Sequence, residues 1–251
     1  PWNGRSAVDG LELCTHVINM LHEHVKLSVR MHYTIVNGGQ VPNVIPEYAK
    51  LWCWVRDWTR DGVDETFRRV QDIAKGAALM AGVEYKLTLQ GGDYEMLVNV
   101  SGERVLYDNL TWLGPIQYTP EEQEFAKAIQ RATGKPEKGL NGSIKPLEGQ
   151  IPEGGSTDVG DVSWIVPTVH LSVTTAPDGT PWHSWPVVAC GGMSIGHKGL
   201  VYAAKALSAT MVDFFEDEAT RKSIRAEFDE KSKGVAYRPY IPDGPPPIPA
   251  Q

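Results

Sequence analysis

An α/β protein is what this chain predicts, and three features of the 251 residues carry that reading. Stretches with apolar side chains at helical spacing bracket two stretches in which apolar and polar residues alternate. A later segment opens on a capping-box helix start. Gly- and Pro-rich loops then separate the remaining periodic segments. Apolar residues make up 41% and charged residues 22%, ordinary for a folded domain and enough for one large or two small cores.

The first part reads element by element. Residues 6–25 place Leu11, Cys14, Val17, Ile18, Leu21 and Val25 on one helical stripe. Leu27, Val29, Met31, Tyr33 and Ile35 then alternate with Ser28, Arg30, His32 and Thr34, a half-buried strand broken at Gly38-Gly39. A second strand is predicted over 47–57, with Leu51, Cys53 and Val55 on one face and Trp52, Trp54 and Arg56 on the other. Residues 64–81 read as a helix stopped by Gly82, and Val83 to Val98 as a further strand. The order is that of a ferredoxin-like β-α-β-β-α-β module without its first strand. The chain is therefore expected to begin inside a domain.

A linker is expected around Asn99–Pro115. Thr119, Pro120 and Glu122 start a helix that Gly134 ends. A short helix over Asp158–Trp164 and a strand near Thr168–Val173 follow. A last helix carries Leu200, Ala204, Leu207, Met211 and Phe214, and a Pro-rich tail runs from Gly234. Domains are expected at 1–112 and 113–251.

A net charge of −7 without a Lys/Arg cluster argues against nucleic acid as a partner. No apolar run approaches the ~20 residues that cross a bilayer, and the start lacks the pattern of a signal peptide. Cys14, Cys53 and Cys190 are odd in number and sit among apolar neighbours, as free thiols in a reducing compartment do. A cytoplasmic protein is expected.

The segment from Gly154 to Trp185 gathers the most chemistry: a Gly-rich turn, Asp158 and Asp161, and His183 in a loop between two tryptophans. A neutral imidazole fixed by a rigid loop is a good zinc ligand, although a histidine in such a loop is more often an ordinary surface residue. Ser156 or Asp158 is expected to cap the short helix that follows. His170 lies in an apolar stretch and His197 at a helix start, where structural roles are expected. His22 and His24, two apart, face different ways and cannot share a metal. Gly192-Met193-Ser194-Ile195-Gly196 matches a nucleophile-elbow string, but such an elbow needs an acid and then a histidine downstream, and the only downstream histidine, His197, lies three residues away on the same emerging helix.

This stretch resembles the C-terminal part of the dinuclear-zinc aminoacylase/carboxypeptidase family, in its p-aminobenzoyl-glutamate hydrolase branch. PWNGRSAVDGLE at 1–12 resembles the entry to that family's lid, and NGGQVPNVIPEYAKLWCWVR at 37–56 its signature hairpin. IGHKGLVYAAKALSATMVDFF at 195–215 resembles its C-terminal helix, and YRPYIPDGPPPIP its tail. The resemblance runs in order along essentially the whole chain, and places the family's HxD and Glu-Glu motifs upstream of residue 1.

It implies a ferredoxin-like lid and dimerisation domain lacking its first strand, joined to the C-terminal part of an α/β/α catalytic domain. It implies zinc or manganese, two ions in the intact enzyme, with His183 as a ligand. It further implies that Asn43 donates to a scissile carbonyl and that Arg56 grips a substrate carboxylate across a homodimer. His32 shares the sheet as a weaker candidate, and Ser156, Thr157 and Asp158 would border the cleft. The expected activity is hydrolysis of an amide beside a free carboxylate: an N-acyl amino acid, aminobenzoyl-glutamate or a dipeptide. The alternative is a non-catalytic dimerisation or binding module that keeps the lid.

Overall fold

The computed structural model describes residues 2–147, 155–241 and 243–245. By its contacts the chain forms two compact units. One comprises the described residues within 1–96, 152–161 and 237–251, the other those within 97–151 and 162–236. The fold is mixed α/β, as the sequence predicts. Among the described residues no helix is long and apolar enough to cross a membrane.

The first unit begins with α1 (Ala7–Leu21), whose cap Ser6 accepts from the Asp9 amide at 3.3 Å. Strands β1 (Arg30–Asn37) and β2 (Lys50–Arg56) pair antiparallel, and the register sorts their side chains by face. Met31 lies opposite Val55, Tyr33 opposite Cys53 and Ile35 opposite Leu51. Met31, Tyr33, Leu51, Cys53 and Val55 turn inward onto Ile18 and Leu21 of α1 and Val70 of α2 (Arg60–Ala81), whereas Ile35, near the loop end of the ladder, is 51% exposed. Arg30 opposite Arg56, His32 opposite Trp54 and Thr34 opposite Trp52 form the other face. A one-residue slip would exchange the two sets, so the apolar alternation itself fixes the register.

Helix α2 starts four residues earlier than predicted because Thr59 caps it, accepting from Gly62 at 3.2 Å. It ends at Gly82, whose φ of 66° is the left-handed conformation glycine adopts without cost.

Two expected strands are not formed. Residues 83–98 carry the alternation of a strand but have no ladder partner among the described residues. Alternation shows that a segment is two-faced; a strand also needs a neighbour to share its hydrogen bonds. Here side chains take that role, Asp161 accepting from the Tyr94 amide at 3.0 Å and Ser163 from Leu97 at 2.8 Å. Residues 168–173 likewise join no sheet, and His170, predicted to be structural within that strand, is exposed, its amide donating to Glu103.

In the second unit, the linker expected at 99–115 is instead α3 (Val100–Leu113). Its signals are in the sequence: Leu106, Leu110 and Leu113 at helical spacing, Asn99 as cap and Gly114 as stop. Helix α4 (Pro120–Ala132) has the predicted capping box between Thr119 and Glu122. The short α5 (Val159–Ser163) and the long α7 (Ser194–Glu216) match expectation, while α6 (Trp185–Gly191) and α8 (Glu218–Lys231) were not anticipated. The core gathers Ala126, Ile129, Leu140, Cys190 and Ile195.

Helix α8 closes the start of α3. Asn99 accepts from Gly102 and donates to the Ile224 carbonyl, both at 2.9 Å. The Glu227 carboxylate accepts from Val100 at 2.8 Å and Ser101 at 2.7 Å, and Lys231 pairs with it at 2.7 Å. Three of the four amides a helix start leaves unpaired are thus satisfied. Burial opposes the Glu227 charge, but these donors outweigh it and bring the carboxyl down to about 2 from 4.5. A depressed carboxyl stabilises the fold above its unfolded pKa and loses that contribution as pH falls through the folded one. Unfolding midpoints in urea should therefore drop between pH about 4.5 and about 2. Glu227→Gln should lower the neutral-pH midpoint and flatten that acid dependence; a variant with the parent's acid profile would refute the assignment.

Candidate functional site

The hairpin's second face is the most chemically distinctive surface of the first unit. Neither strand contains an aspartate or glutamate, so Arg30, His32, Lys50 and Arg56 have no carboxylate partner on the ladder itself. Trp52 and Trp54 meet edge to face with ring centroids 5.9 Å apart, and each is about half exposed. The Arg56 guanidinium stands 4.9 Å from the Trp54 ring centroid, a cation–π contact that orients the fork. His32 is exposed directly opposite Trp54. The ladder thus brings His32 and Arg56 onto one face, as their spacing predicts.

Asn43 lies in the loop that leaves the far end of this ladder. Val41 to Val44 form a turn in which the Val44 amide donates to Val41 at 3.3 Å, with Pro42 and the exposed Asn43 in the central positions. Arg56 pairs with Arg30 at the ladder's opposite end. The structure therefore does not bring Asn43 and Arg56 together through the hairpin.

Thr157, the half-buried member of the loop triplet, accepts from the Val159 amide at 3.3 Å, and its carbonyl accepts from Gly160. The capping role falls on Thr157; Ser156 and Asp158 are exposed. Gly160 is required by a close approach: a Cβ there would stand 2.0 Å from the Tyr94 carbonyl oxygen. Asp161 anchors the turn, accepting from the Tyr94 amide and from the Tyr237 hydroxyl at 2.8 Å. Asp93, which the sequence did not single out, joins this group electrostatically. Burial, then the charges of Asp161 and Asp158, raise its carboxyl, and Arg56 partly offsets them. Asp93 thus links the neighbourhood of Arg56 to that of Asp158.

His183 belongs to the second unit. It is exposed, immediately before α6, and is the one described non-glycine residue with positive φ, at 60°. Among the described residues no three His, Cys, Asp or Glu side chains are arranged to hold a metal ion. A tetrahedral site needs about four ligands, so His183 and its described neighbours do not make one up. His197, on α7, is exposed. Gly154 falls outside the described residues.

The Gly-x-Ser-x-Gly string has a structural role. Ser194 donates to the buried Glu122 at 2.6 Å, and Lys198 pairs with the same carboxylate at 2.6 Å, tying α7 to the start of α4. Burial disfavours the Glu122 charge, yet donors from Lys198, Ser194 and Thr119 hold its carboxyl below the ordinary value.

Residues 1–79 match the peptidase dimerisation domain. The chain is 31% identical to one of the subunits of p-aminobenzoyl-glutamate hydrolase from Escherichia coli (strain K12), over 99% of this chain and 57% of that protein. It is 26% identical to Xaa-Arg dipeptidase of Mus musculus, over 91% of this chain and 47% of the relative. Against the Homo sapiens Xaa-Arg dipeptidase the values are 26%, 92% and 47%. The chain thus spans about half the length of these curated relatives. With a dimerisation domain at its start and relatives of this kind along nearly all its length, the chain belongs to the aminoacylase/carboxypeptidase family of amidohydrolases.

Proposed function

We propose that this chain supplies the lid (1–112) and the C-terminal catalytic segment (113–251) of a metal-dependent amidohydrolase. Its substrate is an amide next to a free carboxylate: an N-acyl amino acid, aminobenzoyl-glutamate or a dipeptide. The observation that carries this reading is Arg56, in cation–π contact with Trp54 on a strand that holds no acid. A planar guanidinium can present two parallel N–H donors, the geometry that a carboxylate matches. The relatives' names support it, since glutamate and a dipeptide both end in a free carboxylate.

In this reading the lid pairs two copies into a homodimer and Arg56 serves the partner's site. Asn43 donates to the scissile carbonyl, and His32, Ser156, Thr157 and Asp158 border the substrate. His183 is one ligand of a zinc or manganese site whose remaining ligands are not among the described residues. The enzyme is placed in the cytoplasm, where the three free cysteines suit a reducing environment.

A charge-assisted pair of this kind is worth roughly 1.5–3 kcal/mol. Arg56→Lys in the full-length enzyme should therefore raise KM for carboxylate substrates by about 10- to 100-fold. A substrate amidated at that carboxylate should be nearly unaffected, and equal losses on both would remove Arg56 from carboxylate recognition. Mixing Arg56→Lys with His183→Ala enzyme should restore activity after subunit exchange, because one site of the heterodimer keeps both residues. At sub-saturating carboxylate substrate, a mixture no more active than its Arg56→Lys parent would overturn the cross-subunit role.

The 251-residue chain itself should bind zinc weakly, losing it to a mild chelator in a competition titration. Stoichiometric, chelator-resistant zinc would show a site assembled from other residues than proposed here. In the full-length enzyme His183→Ala should abolish turnover and lower metal content, with His197→Ala close to the parent.

A further inference from the structure

We infer that residues 237–241 are a clasp that holds the 158–161 turn beside the end of β2, with Arg60 as the positioning residue at its centre. The consequence for turnover rests on the reading above, in which Asp158 borders the substrate; the clasp itself does not. Residues 237–241 belong to the first unit, and their contacts there converge on a few side chains. The Arg60 guanidinium stands 3.2 Å from the Tyr240 ring centroid and 4.4 Å from that of Tyr94. It also donates to the Arg238 carbonyl at 3.0 Å. The Tyr240 hydroxyl donates to Asp64, which pairs with Arg60 at 3.2 Å. The Arg60 side chain is only 14% exposed, so these contacts are weakly screened by salt.

The clasp acts on the residues that order the turn. Tyr94 is buried, and while its amide donates to Asp161 its ring meets Arg60 and its hydroxyl accepts from the Arg238 amide at 3.0 Å. Asp161 also accepts from the Tyr237 hydroxyl, and the Tyr237 ring lies 5.1 Å from that of Tyr94. Arg60 opens α2 just after β2 ends at Arg56, and its amide donates to Glu95 at 3.0 Å. One side of the clasp is therefore anchored where the strand of Arg56 ends, and the other holds the turn that carries Asp158. Asp93, next to Tyr94, feels the charges of both. The seat is shaped for the tail: a Cβ on Gly92 would stand 2.8 Å from the Tyr240 ring, although Gly92 does not have positive φ. Glycine is needed there for space rather than for backbone conformation.

Gly92→Ala and Tyr240→Ala unseat the tail by different routes, one by steric conflict and one by removing the ring. In the 251-residue chain both should speed hydrogen exchange at the amides of Tyr94 and Gly160 by about tenfold, the worth of one desolvated cation–π contact. The β1–β2 ladder amides should keep the parent's rates. Arg60→Met, which keeps the stem without the cation, should match the alanine variants. Tyr240→Phe keeps the ring and loses only the bond to Asp64, so it should stay near the parent. In the full-length enzyme Gly92→Ala should raise KM for carboxylate substrates by about tenfold with kcat nearly unchanged.

Parental exchange in both alanine variants would overturn the clasp, and so would faster exchange throughout the first unit, ladder included, which marks general destabilisation. Faster exchange at Tyr94 and Gly160 with a parental KM would overturn the positioning role of Arg60. Failure of the carboxylate reading looks different: Arg56→Lys would leave KM unaltered while the exchange effect of the tail variants persists.

Discussion

The strict alternation of the β1–β2 hairpin is the constraint on which the candidate site depends. Because side chains point to opposite faces with a period of two, committing Met31, Tyr33, Leu51, Cys53 and Val55 to the core forces Arg30, His32, Trp52, Trp54 and Arg56 onto the other side. Packing against α1 and α2 thereby aims the functional residues. No separate device is needed to turn the half-buried Arg56 away from that core. Its cation–π contact with Trp54 follows from the same spacing, since residues two apart on a strand are same-face neighbours.

Much of this was legible in the sequence, for a reason that can be named. Period-two alternation, a capping box at Thr119 and a glycine stop at Gly82 are local signals, and local signals survive into the structure. Strand pairing is not local. Residues 83–98 have the pattern of a strand, yet whether they join a sheet depends on a neighbour that no pattern within them specifies. Helix α3 was missed for the opposite reason. Its leucines and its Asn99 cap were visible, but an expected domain boundary stood where the helix runs.

The candidate site divides in the same way. The shared face of His32 and Arg56 was readable because one ladder sets it. The pairing of Asn43 with Arg56 came from family resemblance, and the hairpin places them at different ends. Asp93 carries no motif; its link to Arg56, Asp158 and Asp161 arises from chain segments far apart in sequence. That Thr157, rather than Ser156 or Asp158, accepts from Val159 depends on the local backbone path, which composition does not encode.

The backbone at residue 183 has a consequence of its own. At φ 60° every side chain with a Cβ is disfavoured by about 1 kcal/mol relative to glycine. Glycine is abundant in this chain, with 25 copies, and nine of the described ones occupy positive φ. Folding alone would thus be served better by a residue without a ring at this position. Two removals of the imidazole are therefore not equivalent, because alanine retains the backbone conflict and glycine releases it. A protein made more stable by losing His183 to glycine would mark this loop as a place where thermal robustness and the imidazole compete.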